Sequence, residues 1–218
     1  MQLDVVTLFP QWFDWFRTQR HVSNAVAQGH ELRTLNPRDH TPLSGAQVDD
    51  TPFGGGAGMV LRVDVMDAAL RAFYDCDPVQ LRTQRRVIAL TPGGRVLDDA
   101  YVDELAAEPA LTFLCGRYEG FDERIVQNFA SDTLSVGRYV LSGGEVAAMV
   151  VADAILRKLP GALGHADSAV EHLQRPVDFD REIDVPGGVD DVELITFPKA
   201  GGGSGLDGDA ALRFLVHE

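Results

Sequence analysis

The sequence predicts an α/β domain, layered on a largely parallel sheet. Three observations predict it. Short runs rich in β-branched residues alternate with helical runs over the first three quarters of the chain. Glycine-bearing loops follow several of the strand-like runs. Hydrophobic residues make up 45% of the 218, enough for a core between sheet and helices. Sheets of this kind bind ligands beyond the carboxyl ends of their strands. Three loops fall there: Thr91 to Arg95, Gly116 to Gly120, and Ser135 to Glu145.

The elements follow in order. Residues 3–9, "LDVVTLF", read as a first strand. Pro10 ends it and opens a helix, "PQWFDWFRTQ", with Trp12, Phe13 and Phe16 facing the core at helical spacing. "HELRTLNPRD" is a short strand and a loop, and 41–60 is a long turn-rich segment ending in "TPFGGGAGM". A helix from Asp64 to Tyr74 presents Val65, Ala68, Ala69 and Ala72. "RRVIALT" is a strand closed by a "PGG" turn, and "DDAYVDELAAEP" is a short helix with acids in its first turn. "ALTFLCG" is the next strand. "RYEGFDERIVQNFA" is a loop running into a helix that Asp122 is placed to cap. "TLSVGRYVLS" supplies another strand region, and "EVAAMVVADAILRKL" a strong helix closed by Pro160 and Gly161. Beyond Gly164 the pattern weakens and "KAGGGSGLDGD" resembles a linker. The expected organisation is a domain over 1–164 and a partly ordered tail over 165–218.

Composition narrows the function classes. The formal net charge of −14 argues, as a bulk value, against nucleic acid. Local arrangement argues the other way: Arg82, Arg85 and Arg86 cluster, and Arg117, Arg124, Arg138 and Arg157 follow. Cys76 and Cys115 have no metal-ligand spacing, Cys115 reads as a core residue, and the six histidines are scattered, so no metal site is read. No apolar run reaches spanning length and the first residues do not read as a leader. The expectation is a cytoplasmic protein with no membrane partner.

Three glycine stretches remain as candidate sites, since G-x-G-x-x-G, the phosphate-loop lysine pattern and G-x-S-x-G are all missing. "PFGGGAGM" either lets a planar or phosphate-bearing ligand approach the backbone or is a flexible hairpin. In "CGRYEGFDER", Tyr118 can lie against a ring, Glu119 can accept from a sugar or purine edge, and Arg117 or Arg124 can hold phosphate. The competing reading is a capped helix start with a local ion pair. In "YVLSGGEVAAM", Tyr139, Val140 and Leu141 form an apolar wall, Gly143 and Gly144 expose peptide groups, and the helix starting near Glu145 offers its positive end. A plain β-turn competes with that reading.

The stretches "LFPQWF", "PRDHT", "VDDTPFGGGAGMV", "LTPGGRVLD", "LCGRYEGFDERI" and "SVGRYVLSGGEVAAMVVADAILRKLPGALG" stand in one order over roughly three quarters of the chain. Together they resemble the bacterial tRNA (guanine-N1)-methyltransferases of the trefoil-knotted (SPOUT) class. The resemblance implies a C-terminal trefoil knot in the α/β domain, a homodimer with two sites built across its interface, and S-adenosylmethionine bent in the knot. It implies a cofactor pocket of Leu90, Thr91, Pro92, Gly116, Tyr118, Glu119, Ser135, Val136, Gly137, Tyr139, Leu141, Gly143 and Gly144. The implied substrate is tRNA, methylated at N1 of the guanine just 3′ of the anticodon. Arg157 corresponds to an arginine that assists at that base, residues 52–59 help shape the guanine and cofactor region, and the family shows magnesium dependence.

The chain departs from the pattern at "GHADSAVEHLQRP", where His172 stands in place of the family's base aspartate and Glu171 precedes it. Either can take the N1 proton, the histidine because its pKa suits neutral pH. Arg138 replaces a usual acid in "SVGRYVL", and the family's helical tRNA-gripping domain has no counterpart in 165–218. The alternative reading is therefore a catalytically weak or inactive homologue that binds cofactor or RNA.

Overall fold

The structure is a computed structural model and describes residues 1–163. Five strands form one sheet in the order β2-β1-β6-β5-β7, where β1 is Gln2–Val6, β2 Glu31–Leu35, β5 Arg86–Val96, β6 Ala110–Cys115 and β7 Asp132–Ser135. Every pairing in it is parallel. A two-residue antiparallel pair, β3 (Asp49–Asp50) and β4 (Val60–Leu61), closes the glycine-rich segment.

Because strand side chains alternate, each central strand feeds two cores. Leu3, Val5, Ile88, Leu90, Leu111 and Phe113 face one layer, made by α1 (Trp12–Arg17), α2 (Arg20–Ala27), α5 (Asp99–Ala106) and α7 (Gly144–Lys158). Val6, Val87 and Leu114 face the other, made by α3 (Val63–Tyr74), α4 (Pro78–Gln84) and α6 (Glu123–Phe129). This is the layered, largely parallel arrangement the alternation predicts. Cys115 is buried as expected.

One charged residue interrupts the second core. Asp4 is fully buried in β1 and receives Arg33 Nε at 2.7 Å, Arg85 at 2.9 Å and the Tyr74 hydroxyl at 2.7 Å. The Arg85 guanidinium lies over the Tyr74 ring. Burial, then the Asp4 charge, pushes the Tyr74 hydroxyl pKa up. Arg85 is thus a core residue. Arg86 is held by Asp132, Glu104 and Glu108, and Arg82 donates to the Gln127 and Ala130 carbonyls. Arg85 and Arg86 are engaged within the fold while Arg82 stays exposed and tied to two carbonyls, which corrects the reading of the cluster as a basic patch.

Several local expectations need correction. Helices α2 and α4 were not expected. α4 carries a readable signal, Asp77 accepting from the Val79 amide with Pro78 in the first turn. Trp12 is half exposed while Phe13 and Phe16 are buried, because α1 turns only one stripe inward. On α3 the buried set is Val65, Met66, Ala69 and Leu70, and Ala72 is exposed. β5 does not stop at "PGG": Leu90 and Arg95 both pair with Leu134, so 91–94 bulge out and the strand resumes. Residues 139–141 are not a strand, since β7 ends at Ser135 and Val140 is 82% exposed. The tail predicted over 165–218 lies outside the described residues.

Candidate functional site

Three chain segments meet at the carboxyl ends of β6 and β7 and at the bulge in β5, and enclose a cavity of about 430 Å³. Leu90, Thr91 and Pro92 come from the bulge. Gly116, Tyr118 and Glu119 come from the loop after β6. Ser135, Val136, Gly137, Tyr139, Leu141, Gly143 and Gly144 come from the wrap between β7 and α7. Every residue of the expected cofactor pocket lines this one space. Its volume is in the range of small-molecule sites, about 300–1,000 Å³.

The wrap holds its own shape. The Ser135 hydroxyl donates to the Gly137 carbonyl at 2.7 Å and accepts from the Gly137 amide at 3.2 Å. The Tyr139 hydroxyl donates to the Val136 carbonyl, and its ring lies where a Cβ on Gly137 would be. The loop after β6 is tied to the glycine-rich segment. The Glu119 amide donates to the Met59 carbonyl, Leu61 N to the Gly120 carbonyl, and Asp122 N to the Leu61 carbonyl. Gly58, at φ +79°, packs against the Glu119 side chain so closely that a Cβ would sit 2.4 Å from Cγ. "PFGGGAGM" and "CGRYEGFDER", separate in sequence, are thus neighbours. Tyr118 holds a left-handed backbone at φ 61°, a conformation costly for a bulky residue, and its hydroxyl accepts from Arg38.

The reason for Gly143 and Gly144 is structural. A Cβ on Gly144 would meet the Cys115 backbone at 2.7 Å, and one on Gly143 would meet Arg117 Nε at 2.3 Å. The helix terminus is not open either. Glu145 is fully buried there, accepting from Arg117 Nε and from the Thr7 hydroxyl, each at 2.9 Å. Arg117 therefore does not stand free for phosphate, because its charge is needed by Glu145. Arg124 is bound to Asp122, which also caps α6. That pair holds the Asp122 carboxyl below its usual range, the Arg124 side-chain hydrogen bond being the largest cause. No sequence signal links Thr7 to Glu145, which lie at opposite ends of the domain in sequence.

Arg157 does not line the cavity. It sits in the last turn of α7, about 20 Å along the helix from Gly144 at a rise of about 1.5 Å per residue. Glu171 and His172 lie outside the described residues. Among the described residues no three His, Cys, Asp or Glu stand together to hold a metal ion. No described helix is long and apolar enough to cross a membrane.

Fold and cavity together define an α/β protein with a cavity beside the carboxyl ends of its parallel strands. A family profile described as tRNA (Guanine-1)-methyltransferase TrmD matches residues 1–178, and the chain belongs to that family. Curated relatives named tRNA (guanine-N(1)-)-methyltransferase are similar over most of the chain. The one from Ralstonia nicotianae is 44% identical over 195 residues, 83% of this chain and 72% of the relative. The one from Aromatoleum aromaticum is 45% identical over 171 residues, 78% and 65%. The one from Pseudomonas fluorescens is 46% identical over 172 residues, 78% and 67%. The chain thus matches about two thirds to three quarters of each relative's length.

Proposed function

We propose that this chain is a cytoplasmic S-adenosylmethionine-dependent methyltransferase acting on N1 of the guanine immediately 3′ of the tRNA anticodon. The observation that carries the reading is the convergence of three sequence-distant segments on one cavity beside the carboxyl ends of β6 and β7. Leu90, Val136 and Leu141 give this cavity apolar surface suited to an uncharged ring. When bound there, S-adenosylmethionine supplies a sulfonium methyl open to in-line attack by a nitrogen nucleophile. Glu119, bonded to the Met59 carbonyl and packed on Gly58, joins the proposed cofactor pocket to the 52–59 segment, which is proposed to shape the guanine and cofactor region. Glu171 and His172 are the residues proposed to take the N1 proton.

The trefoil knot belongs to this proposal. It is supported by the family to which the chain belongs. The homodimer belongs to it too. Trp12, Trp15, Val140, Val146 and Val150 are large apolar residues left between 42% and 82% exposed, a surface suited to a second copy. Arg157, remote from its own chain's cavity, is proposed to serve the partner's. Methyl transfer to unmodified tRNA, read as tritium from labelled donor, tests the activity. Loss of incorporation when the target guanine is replaced is the expected result. Donor binding with no transfer would replace the reading by the binding-only homologue.

A further inference from the structure

We infer that Arg117 is a positioning residue: its guanidinium, pinned from within the fold, sets the cavity wall at Ser142–Gly144. The inference rests on the methyl-donor reading only for which ligand that wall receives. Four contacts fix the guanidinium. Nε donates to the buried Glu145 carboxylate at 2.9 Å, and Nη1 donates to the Ser142 carbonyl at 3.1 Å. Its Cζ lies over the Phe9 ring, 4.3 Å from the centroid, and over the Trp12 ring at 5.0 Å. Behind it, Glu145 is anchored to β1's exit by the Thr7 hydroxyl, which also accepts from the Phe9 amide. The wall is moulded on this group, because Gly143 leaves its Cβ space to Arg117.

The fork geometry is what the arrangement requires. A planar guanidinium donates to Glu145 and to Ser142 at once while stacking on two rings. A lysine can neutralise Glu145, but a single ammonium on a flexible stem cannot also hold the Ser142 carbonyl and stack flat. Charge pairing and wall setting are therefore separable. The wall carries Gly143 and Gly144 into the cavity, so its placement governs donor affinity rather than the stability of the domain.

The test compares full-length wild type with Arg117→Lys and Arg117→Ala. Hydrogen exchange is read on the peptide spanning 136–147, S-adenosylmethionine affinity by calorimetry, and thermal stability on the same samples. In Arg117→Lys the expected outcome is at least tenfold faster exchange in 136–147, unchanged exchange in 2–6, and a Tm near wild type. Donor affinity is expected to fall by tenfold or more, and the KM for donor to rise more than kcat falls. Wild-type exchange and donor affinity within twofold in Arg117→Lys would overturn the inference, as would losses in Arg117→Ala that follow its Tm alone and are fully rescued by lysine. A wild-type chain that binds no S-adenosylmethionine overturns the methyl-donor reading by itself, and the exchange comparison still decides the role of Arg117.

Discussion

Gly94 faces the backbone of Leu134 so closely that a Cβ on it would lie 2.5 Å from the Leu134 nitrogen. The obstacle is main chain in the centre of a parallel pairing, so it cannot swing aside as a side chain would. Gly94→Ala is expected to cost about 3 kcal/mol, the upper end of the overpacking range, and to lower Tm by about 6–12 °C. Thermal unfolding checks this, and a shift under 2 °C would show that β7 yields there.

Gly143 presents the contrasting case. Its φ of 174° is extended backbone open to any residue, and the nearest obstacle to a side chain is Arg117. Gly143→Ala should weaken donor binding in the wild-type background. It should be better tolerated when Arg117→Ala and Glu145→Gln have removed both the obstacle and the buried charge. The coupling expected from this cycle is about 1 kcal/mol or more, measured as donor affinity.

Asp4 is surrounded by Arg33, Arg85 and Tyr74 and is only about 1% exposed. Asp4→Asn leaves two guanidinium groups without their carboxylate. A loss of about 3–5 kcal/mol in unfolding free energy is expected, the usual cost of breaking a buried pair. Denaturant unfolding measures it. Donor affinity measured below the transition should stay within twofold, since this cluster does not line the cavity.

The Asp122 carboxyl is held below its ordinary value by Arg124 and by the Arg124 amide that it caps. The unfolded chain therefore takes up this proton at higher pH than the folded chain, near the free-carboxylate value of about 3.9. The stabilisation is fully present above that value and is lost as pH falls through the lower folded value. Asp122→Asn should flatten the dependence of stability on pH between about 3 and 5, read from denaturation midpoints. An unchanged slope would mean the pair contributes nothing to acid stability.

The alternation of strand and helix and the cap at Asp122 were legible because they arise from local pattern. The cavity residues were legible through family resemblance, while local chemistry alone left the glycine loops open to bland readings. What stayed hidden depends on contacts between distant residues. Arg117 looked like a phosphate ligand because nothing near it in sequence shows Glu145 buried behind it. Trp12 looked like core because hydrophobic spacing cannot tell an inward stripe from an outward one at its edge. The extension of β5 was concealed by "PGG", which signals a turn unless another strand returns to cover it.

α7 is one uninterrupted rod with the cavity wall at its first residue and Arg157 near its last. A chain built this way cannot bring both ends of the rod to one reaction centre, so under the dimer proposal each centre draws on two polypeptides. Two inactive variants should then rescue each other: an Arg157→Ala chain and a chain with a blocked wall, co-assembled, rebuild one working centre per mixed pair. Neither variant alone should do so at any concentration.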